Sequence, residues 1–298
     1  MSTEGLDTLS VVIVSHDEGE YLRRTVESLV GDLPPDAEII VVDDASTDGS
    51  SEQLDTIDHR VRVFRLQERL GAAASRNFGA QHASGEALLF SDAHVEARTA
   101  WARPLLRVLQ RPWVGAVGPA LTSLLRPGCK GYGLYFTDAG LNIDWLELNG
   151  SKPYPVPLLG GFFLVMRREI FDSVGGWDSG LVVWGMEDLE LSVRLWTYGY
   201  KCLLVPTVDI AHLDRERNSY PDYQLDWETG VHNMLRFAFV HLGNRRLRSV
   251  INYYIKEKVF PAALARLMVS DAWQRRQEVR SIRRFNDNWY FRRFNMEI

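Results

Sequence analysis

The sequence has few cysteines, no long apolar run and no good glycine-rich phosphate loop, and each shortage narrows the classes of protein that fit. Its 298 residues contain only two cysteines, Cys129 and Cys202, which match no metal-binding or disulfide spacing. We therefore expect both to be buried free thiols in a reducing compartment. No apolar stretch approaches the length that a membrane-spanning helix needs, so none is predicted.

The first ten residues, MSTEGLDTLS, are polar and acidic, which is unlike a signal peptide or a transit peptide. This favours a cytoplasmic protein, with at most a peripheral contact to the inner face of the membrane. Apolar residues make up 46% of the chain and charged residues 24%, the proportions of an ordinary soluble core.

The charge of the chain is unevenly distributed. The net charge is −5, yet residues 241–298 carry 13 Lys+Arg against 5 Asp+Glu, a balance of +8, which leaves −13 for the first 240 residues. Arginines and aromatic residues are interleaved in this tail, a composition that also suits nucleic acid. Because no nucleic-acid-binding module is recognisable and the preceding part is acidic, we predict no nucleic-acid partner. We expect the tail to dock onto its own chain or to form a homodimer contact, with peripheral membrane contact as the next alternative.

Short apolar runs and helix-like stretches alternate four times within about 90 residues. The runs are typical of strands buried on both faces, and the alternation predicts parallel strands with right-handed helical crossovers. The predicted strands span 9–15, 38–44, 61–66 and 88–97. The predicted helices span about 18–30 with Asp17 as N-cap, a short segment entered from the turn-rich 45–54, and 71–85 closed by Gly85.

The middle of the chain is less regular than its two ends. Residues 118–157 are rich in Gly, Pro and aromatics, and we expect loops and mixed strands there that build an acceptor side. The elements predicted next are a strand over 156–166, a helix near 168–174 capped by Gly175, a helix within 186–200 ended by Gly199, and a strand over 201–206 ending at Pro206. The last 60 residues are predicted to be helical.

Polar side chains follow three predicted strands at the point where each strand ends. The three ends are Ser15-His16-Asp17, Asp43-Asp44 and Asp92-Ala93-His94. In open α/β sheets, ligands bind beyond the carboxyl ends of the strands. Asp92 and His94 are two residues apart and so share one side of an extended chain. A carboxylate with an imidazole suits Mn²⁺ or Zn²⁺, and His212, which follows a later strand, is the candidate third ligand.

Six motifs in order resemble a nucleotide-sugar glycosyltransferase of the GT-A fold. They are VVIVSHDEGEYLRRTVESL, IIVVDDASTDGS, GAAASRNFGA, FSDAHVEA, GGFFLVMRREIFDSVGGWD and WGMEDLELSVRLWTYGY. The first half is similar to family 2 glycosyltransferases, whereas the D-x-H form, the WGMED helix and the later histidine are similar to polypeptide N-acetylgalactosaminyltransferases. The resemblance covers residues 8–215. It implies an α/β fold with a mixed, mostly parallel sheet flanked by helices.

The resemblance also implies a division of the chain. A GT-A domain is expected over 1–215, with a nucleotide-binding half at 1–97 and an acceptor and catalytic half at 98–215. A basic, aromatic-rich helical extension then follows over 216–298. Because neither an N-terminal anchor nor a C-terminal lectin domain is visible, a bacterial-type enzyme is expected.

The resemblance implies a UDP-sugar donor and a divalent cation. Mn²⁺, or another divalent cation such as Mg²⁺, is expected on Asp92, His94 and His212, where it would stabilise the departing nucleotide. The residues expected around the donor are Val14, Ser15, Glu18, Asp43, Asp44, Arg76, Ser91, Asp92, Ala93, Gly161 and Trp184. Structural alternatives stay open for several of them: an Asx turn for the Asp43-Asp44 pair, a salt bridge for Arg76, core packing for the tryptophans and a β-bulge for Gly160-Gly161.

Glu187 and Asp188 are the predicted catalytic pair at the start of a helix. Carboxylates in a first helical turn also complement the helix dipole, which is the structural alternative. In inverting family 2 enzymes the Asp of this pair deprotonates the acceptor, so Asp188 favours inversion. In the N-acetylgalactosaminyltransferase-like branch this position is commonly Asn and the outcome is retention.

The expected acceptor is a peptide, a glycan, a lipid-linked sugar or a small natural product. Three alternatives remain to the inverting transferase. They are a retaining N-acetylgalactosaminyltransferase-like enzyme, an inactive sugar-nucleotide-binding protein, and a nucleotidyltransferase. The last normally has a glycine-rich loop near its first strand, of which SHDEGEYL is a poor version.

Overall fold

The structure is a computed structural model that describes residues 6, 8–213 and 226–298. Its strands are β1 (Leu9–Ser15), β2 (Glu38–Asp43), β3 (Val61–Arg65), β4 (Ala87–Asp92), β5 (Val95–Ala97), β6 (Val114–Ser123), β7 (Lys130–Gly131), β8 (Leu134–Phe136), β9 (Ile143–Trp145), β10 (Tyr154–Pro155), β11 (Phe163–Arg167) and β12 (Lys201–His212). Its helices are α1 (Glu20–Val30), α2 (Ala72–His82), α3 (Ala102–Leu109), α4 (Arg168–Ser173), α5 (Glu187–Tyr198), α6 (Trp227–His241), α7 (Asn244–Tyr254), α8 (Phe260–Val269), α9 (Ala272–Ile282) and α10 (Asp287–Arg293). A short 3-10 turn spans Leu54–Thr56.

A mixed sheet forms the centre of the molecule, with the strand order β10-β12-β6-β11-β4-β1-β2-β3. The four strands β4, β1, β2 and β3 are mutually parallel, as the alternating pattern predicts. Strand β11 runs antiparallel between β4 and β6 and joins this parallel half to the parallel pair β6 and β12. The predicted fold class, an α/β mixed sheet with a helical C-terminal part, is confirmed.

Alternate residues of the central strands face two separate cores. Val12 and Phe90 contribute to the core that contains α2, α5 and the C-terminal helices, whereas Val11 and Leu89 contribute to the core that contains α1 and α3. All four side chains are fully buried. Burial on both faces explains why these strands are continuous apolar runs rather than alternating ones.

Strand β12 corrects the prediction that the chain leaves the sheet at Pro206. Pro206 cannot donate a ladder hydrogen bond and would normally end the strand. Here residues 206–208 form a bulge outside the pairing, between Val205 and Asp209, so no donor is needed from the proline. Pairing with β6 then resumes, and residues 210–212 also pair with β5. This continuation brings His212 to the edge of the sheet where β4 ends.

Several predicted boundaries differ from the observed ones. Asp17 does not cap α1: its backbone has φ 50°, and its carboxylate accepts hydrogen bonds from the amides of Thr47 and Asp48 instead. Helix α2 ends at His82 rather than at Gly85, and strand β11 begins at Phe163 rather than at 156. The single strand predicted over 88–97 is divided into β4 and β5. Cys202 is buried as expected, but Cys129 is exposed. The predicted domain boundary at 215/216 lies outside the described residues.

The C-terminal helices α6 to α10 pack on the sheet domain and share its larger core. Much of the positive charge serves this packing. Arg236 binds the carboxylate of Asp178 through two nitrogens, at 2.7 and 3.0 Å, and the guanidinium of Arg293 lies 4.9 Å from the ring centre of Trp196. Contact of the tail with its own chain is therefore observed. None of the helices in the described ranges has both the length and the apolar character to cross a bilayer.

Gly79→Ala is expected to destabilise the protein, although alanine ordinarily stabilises a helix relative to glycine. An added Cβ would lie 2.3 Å from Cγ1 of Val12 and 3.1 Å from Cγ2 of Val42, two buried side chains of the strands beneath α2. We expect a loss of about 1–3 kcal/mol in the free energy of unfolding, measured by urea denaturation. The control is Gln81→Ala, on the exposed face of the same helix. Equal stability of the two variants would contradict this packing.

Candidate active site

A cavity of about 850 Å³ lies beyond the carboxyl ends of the central strands. Five parts of the chain enclose it: the strand ends with the residues that follow them, the start of α2, residues 141–143, the segment 183–189 at the start of α5, and the first two turns of α6. Of the predicted site residues, those that line it are Val14, Glu18, Asp44, Arg76, Asp92, His94, Gly161, Trp184, Glu187, Asp188 and His212. The strand-end rule therefore places most of the candidate residues around one space.

Asp92, His94 and His212 converge on one side of this cavity. Each offers a ligand atom, and the three atoms lie within 4.8 Å of one another. The Nε2 atom of His212 is 3.4 Å from a carboxylate oxygen of Asp92, and the rings of His94 and His212 are 4.8 Å apart between centres. One carboxylate with two imidazoles fits a divalent transition metal, with other positions open to water or to phosphate oxygens.

Glu18 lines the cavity but its carboxylate is directed at His94 rather than being a dedicated nucleotide contact. Its Oε1 lies 3.0 Å from Nδ1 of His94, and the Glu18 side chain is only 2% exposed. Histidine ligands commonly donate one ring N–H to a carboxylate, which fixes the ring and leaves the other nitrogen for the metal. This arrangement fits a cation at His94, and it gives Glu18 a supporting role that the sequence did not indicate.

Arg76 is a buried cation shared by two carboxylates. It donates to Asp92 at 2.8 Å and to Glu187 at 3.1 Å, and its guanidinium lies 4.8 Å from the ring centre of Trp177. Burial alone would raise the pKa of Asp92, but its hydrogen bond with His212 and the charge of Arg76 hold that pKa well below the ordinary value. Asp92 is therefore ionised at any physiological pH.

Asp188 differs from Asp92 in its ionisation. Its carboxylate accepts hydrogen bonds from the amide of Gly161 at 2.9 Å and from its neighbour Leu189. Burial, followed by the charge of the adjacent Glu187, nevertheless raises the pKa of Asp188 to about 7. A carboxyl group with that pKa is divided between its acid and base forms near neutrality, as a general base requires.

The glycine at 161 and the acid at 187 complete this side of the cavity. A Cβ at Gly161 would approach Cβ of Asp188 to 3.0 Å, so glycine permits the close contact of the two segments. One carboxylate oxygen of Glu187 is bound by Arg76. The other, Oε2, is buried and has no hydrogen-bond partner among the described residues.

Four predicted donor residues lie outside the cavity lining: Ser15, Asp43, Ser91 and Ala93. The carboxylate of Asp43 accepts from the amide of Ser46 and from the hydroxyl of Ser51, so it holds the loop after β2. This is the structural alternative considered for the acidic pair. Asp44 does line the cavity, while its two oxygens also accept from the amides of Leu70 and Gly71.

The sequence missed the contribution of the C-terminal extension. The cavity lining includes Trp227, Asn233 and Met234 of α6. These three residues belong to no sequence motif that indicates a site. Ile143, from the irregular middle section, joins them. Trp184 is 42% exposed at the cavity, whereas Trp177 is a core residue that is 2% exposed.

Comparison with known proteins adds family information to this geometry. The model of glycosyl transferase family 2 matches residues 10–175, and the model described as the N-terminal domain of galactosyltransferase matches residues 149–217. Polypeptide N-acetylgalactosaminyltransferase 11 of Xenopus tropicalis is 33% identical over 79% of this chain, which corresponds to 43% of that protein. The inactive polypeptide N-acetylgalactosaminyltransferase-like protein 5 of Macaca fascicularis is 31% identical over 80% of the chain and 58% of that protein. The chain thus spans about half the length of these relatives.

Solved structures give the same picture of the fold. A crystal structure of GalNAc-T7 with UDP, GalNAc and Mn²⁺ matches with a TM-score of 0.80 and 26% identity, over 97% of this chain and 56% of that one. A mannosyltransferase from Pyrobaculum calidifontis in complex with GDP-Man and Mn²⁺ matches with a TM-score of 0.55 and 18% identity, over 89% of this chain and 75% of that one, which supports the fold alone. The two curated relatives are animal proteins, so the bacterial-type expectation finds no support in them.

Asp188→Asn is expected to stabilise the fold near and above neutral pH and to have a smaller effect in acid. The folded state keeps the proton of Asp188 up to about pH 7, whereas an unfolded chain releases it near the ordinary pKa of 3.8. The contribution of this group to stability is therefore complete below that lower value and is lost as the pH rises through about 7. Asparagine carries no charge and avoids the loss, so its advantage should grow by an amount on the order of 4 kcal/mol across this window.

The measurement is urea denaturation of both proteins at a series of pH values. The exposed Asp36 provides the control, since Asp36→Asn removes a carboxylate far from any buried partner. The free energies of unfolding of Asp188→Asn and of the natural protein could instead differ by the same amount at every pH. That result would show that burial does not raise the pKa of Asp188.

Proposed function

Since the chain belongs to glycosyl transferase family 2, whose model covers more than half of it, we propose that it transfers a sugar from a UDP-sugar to an acceptor with the help of a divalent cation. The convergence of Asp92, His94 and His212 at the carboxyl edge of the sheet is the observation that carries this proposal. His212 is far in sequence from Asp92 and His94, and the fold brings the three side chains together at the cavity.

The donor set favours Mn²⁺ over Mg²⁺ because two of its three ligands are imidazoles. A bound cation would neutralise the negative charge that the departing nucleoside diphosphate gains as the glycosidic bond breaks. The protein's own contribution is to hold the ligands ready. Arg76 keeps the carboxylate of Asp92 ionised and oriented, and Glu18 fixes the ring of His94.

The nucleoside is proposed to lie along the ends of β1 and β2. Val14 and Asp44 line the cavity there. A carboxylate has about four lone-pair sites, so Asp44 can accept a hydrogen bond from a base in addition to its two backbone amides. Ser15 and Asp43 stabilise this edge of the sheet without lining the cavity. The Ser15 carbonyl accepts a hydrogen bond from the amide of Asp44, and the Asp43 carboxylate accepts one from the loop that follows β2.

The proposed donor sugar is an N-acetylhexosamine. The relatives named as N-acetylgalactosaminyltransferases support this choice, as does the solved structure that contains UDP and GalNAc. Glu187 lines the cavity, and its buried Oε2 has no hydrogen-bond partner among the described residues, so a sugar hydroxyl could satisfy it. A hydroxyl of a polypeptide is the acceptor that the relatives' names favour.

Asp188 is proposed to be the base that deprotonates the acceptor, which gives an inverted product. Its place in the cavity and its pKa of about 7 support this role. The second candidate is a retaining transferase, which the similarity to N-acetylgalactosaminyltransferases favours. A third reading, a binding protein without activity, has a precedent in the macaque relative, which is named inactive. The full set of acidic positions in the cavity argues against that reading.

A screen of UDP-sugars tests the function. We expect release of UDP with Mn²⁺ present, strongest with N-acetylhexosamine donors, and loss of release when a chelator is added. His212→Ala should weaken Mn²⁺ binding by about tenfold or more, measured by titration with electron paramagnetic resonance. His59→Ala is the matched control, since the His59 side chain is 90% exposed. Sugar transfer at full rate in chelator would rule out the proposed cation.

Asp188→Asn separates the two stereochemical candidates. If Asp188 is the base, turnover should fall by about hundredfold or more while UDP binding stays within about twofold. The natural protein should show a rate that rises with pH to a plateau above about 7, because only the ionised carboxylate accepts a proton. Asp36→Asn should keep both the rate and the profile. Retained turnover of Asp188→Asn, with a product of retained configuration by NMR, would decide for the second candidate.

A further inference from the structure

The segment that leads into α5 is conformationally strained. Val183 has φ 61° and Met186, the residue directly before the helix, has φ 75°, with Gly185 at φ 96° between the two. Positive φ is an uncommon conformation for any residue with a side chain and a genuine outlier for a β-branched one such as valine. Such a backbone persists only where the surroundings impose it. The residues that immediately follow are Glu187 and Asp188, so the strain lies where the candidate catalytic carboxylates begin.

One side of this segment is held by α2. The amide of Ala72 donates to the carbonyl of Val183 at 2.7 Å. The neighbouring Gly71 has no room for a side chain, since a Cβ there would meet backbone atoms of Val183 at 2.8 to 3.0 Å. This contact fixes a single point of the strained segment.

The other side is held by Asn233, a residue of the C-terminal extension. Its Nδ2 lies 3.0 Å from the carbonyl oxygen of Val182, 3.1 Å from that of Trp184 and 3.2 Å from that of Gly185. Its Oδ1 accepts from the amide of Val182 at 3.0 Å. The side chain is only 1% exposed. A side-chain amide has two N–H donors, so both donors of Asn233 are used in hydrogen bonds to three carbonyls of one short segment.

The residues next to Asn233 on α6 extend the same contact. His232 lies 3.3 Å from the carbonyl of Gly180 through Nε2, and Arg236 binds Asp178. A Cβ at Gly180 would lie within 1.9 Å of the Arg236 guanidinium, so the segment passes directly over α6. Hydrogen bonds and an ion pair from α6 therefore hold residues 178–185, which immediately precede α5.

We propose that Asn233 is a positioning residue of the active site, which holds the strained segment 182–186 and thereby the carboxylates of Glu187 and Asp188. The inference rests on the proposed function for its kinetic consequences only. The proposed cation ligands Asp92 and His94 lie at the end of strand β4, whereas the hydrogen bonds of Asn233 are with residues 182, 184 and 185. Loss of its amide should therefore impair the catalytic step and spare the binding of nucleotide and cation.

Asn233→Ala is the test. We expect the kcat of transfer to fall about tenfold to hundredfold, because small displacements of catalytic groups have effects of this size, while the KM for the donor stays within about twofold. Hydrogen–deuterium exchange followed by mass spectrometry should show faster exchange in peptides that cover 180–189 and unchanged exchange in those that cover 87–95. If the alanine variant does not fold, Asn233→Ser, which keeps one hydroxyl donor, is expected to show the same pattern with smaller effects.

Asn286→Ala is the matched control within the extension. The Asn286 side chain accepts from the amide of Trp289 and caps α10, remote from the cavity lining. Its loss should lower the melting temperature by a few degrees, roughly as other caps do, and leave turnover unchanged.

Two results would overturn the inference: unchanged exchange at 180–189 in the Asn233 variants, or faster exchange everywhere with equal losses of nucleotide binding and turnover. The exchange and binding measurements need no turnover. A natural protein that transfers no sugar would therefore refute the proposed function and leave the test of Asn233 intact.

Discussion

A single buried guanidinium joins the two halves of the cavity. Arg76 is 3% exposed and binds Asp92, at the end of a sheet strand, and Glu187, at the start of α5. A buried charge is costly unless it is paired, so the two carboxylates compensate the burial of Arg76 and hold it in place. The end of a sheet strand supplies the proposed cation ligand Asp92, and the helix supplies the candidate base. Their relative position is therefore set by electrostatics as well as by packing.

The C-terminal helices belong to the same construction. A second buried charged group joins α5 to α6, since His241 and Arg194 both bind the carboxylate of Glu190, and all three side chains are almost completely inaccessible to solvent. Burial lowers the pKa of His241, in opposition to the carboxylate. Helix α5 is thus held to α2 by Arg76 and to the extension by His241.

The sequence predicts the parts of this molecule that depend on local patterns. Buried parallel strands are continuous apolar runs, and their polar ends must meet at one edge, so the convergence of Asp92 and His94 could be inferred. His212 was predicted as a third ligand that follows a strand ending at Pro206. The strand in fact continues to His212, because a bulge excludes the proline and the ladder then resumes. Asn233 could not be inferred, since its contacts are with backbone atoms and leave no trace in the residues they hold. The assigned roles of the site residues, the homodimer contact and the location in the cell stay predictions.

The bulge in β12 has a consequence for how the chain tolerates changes in length. Residues 206–208 lie outside the ladder, between the pairs Val205–Pro119 and Asp209–Ala120. An extra or missing residue there can be absorbed by the bulge, and the later pairs stay in place. From Asp209 to His212 the strand is in register with β6, and an insertion of one residue there would turn the imidazole to the opposite face of the sheet. Length variation among natural homologues should therefore concentrate before Asp209 and be excluded after it.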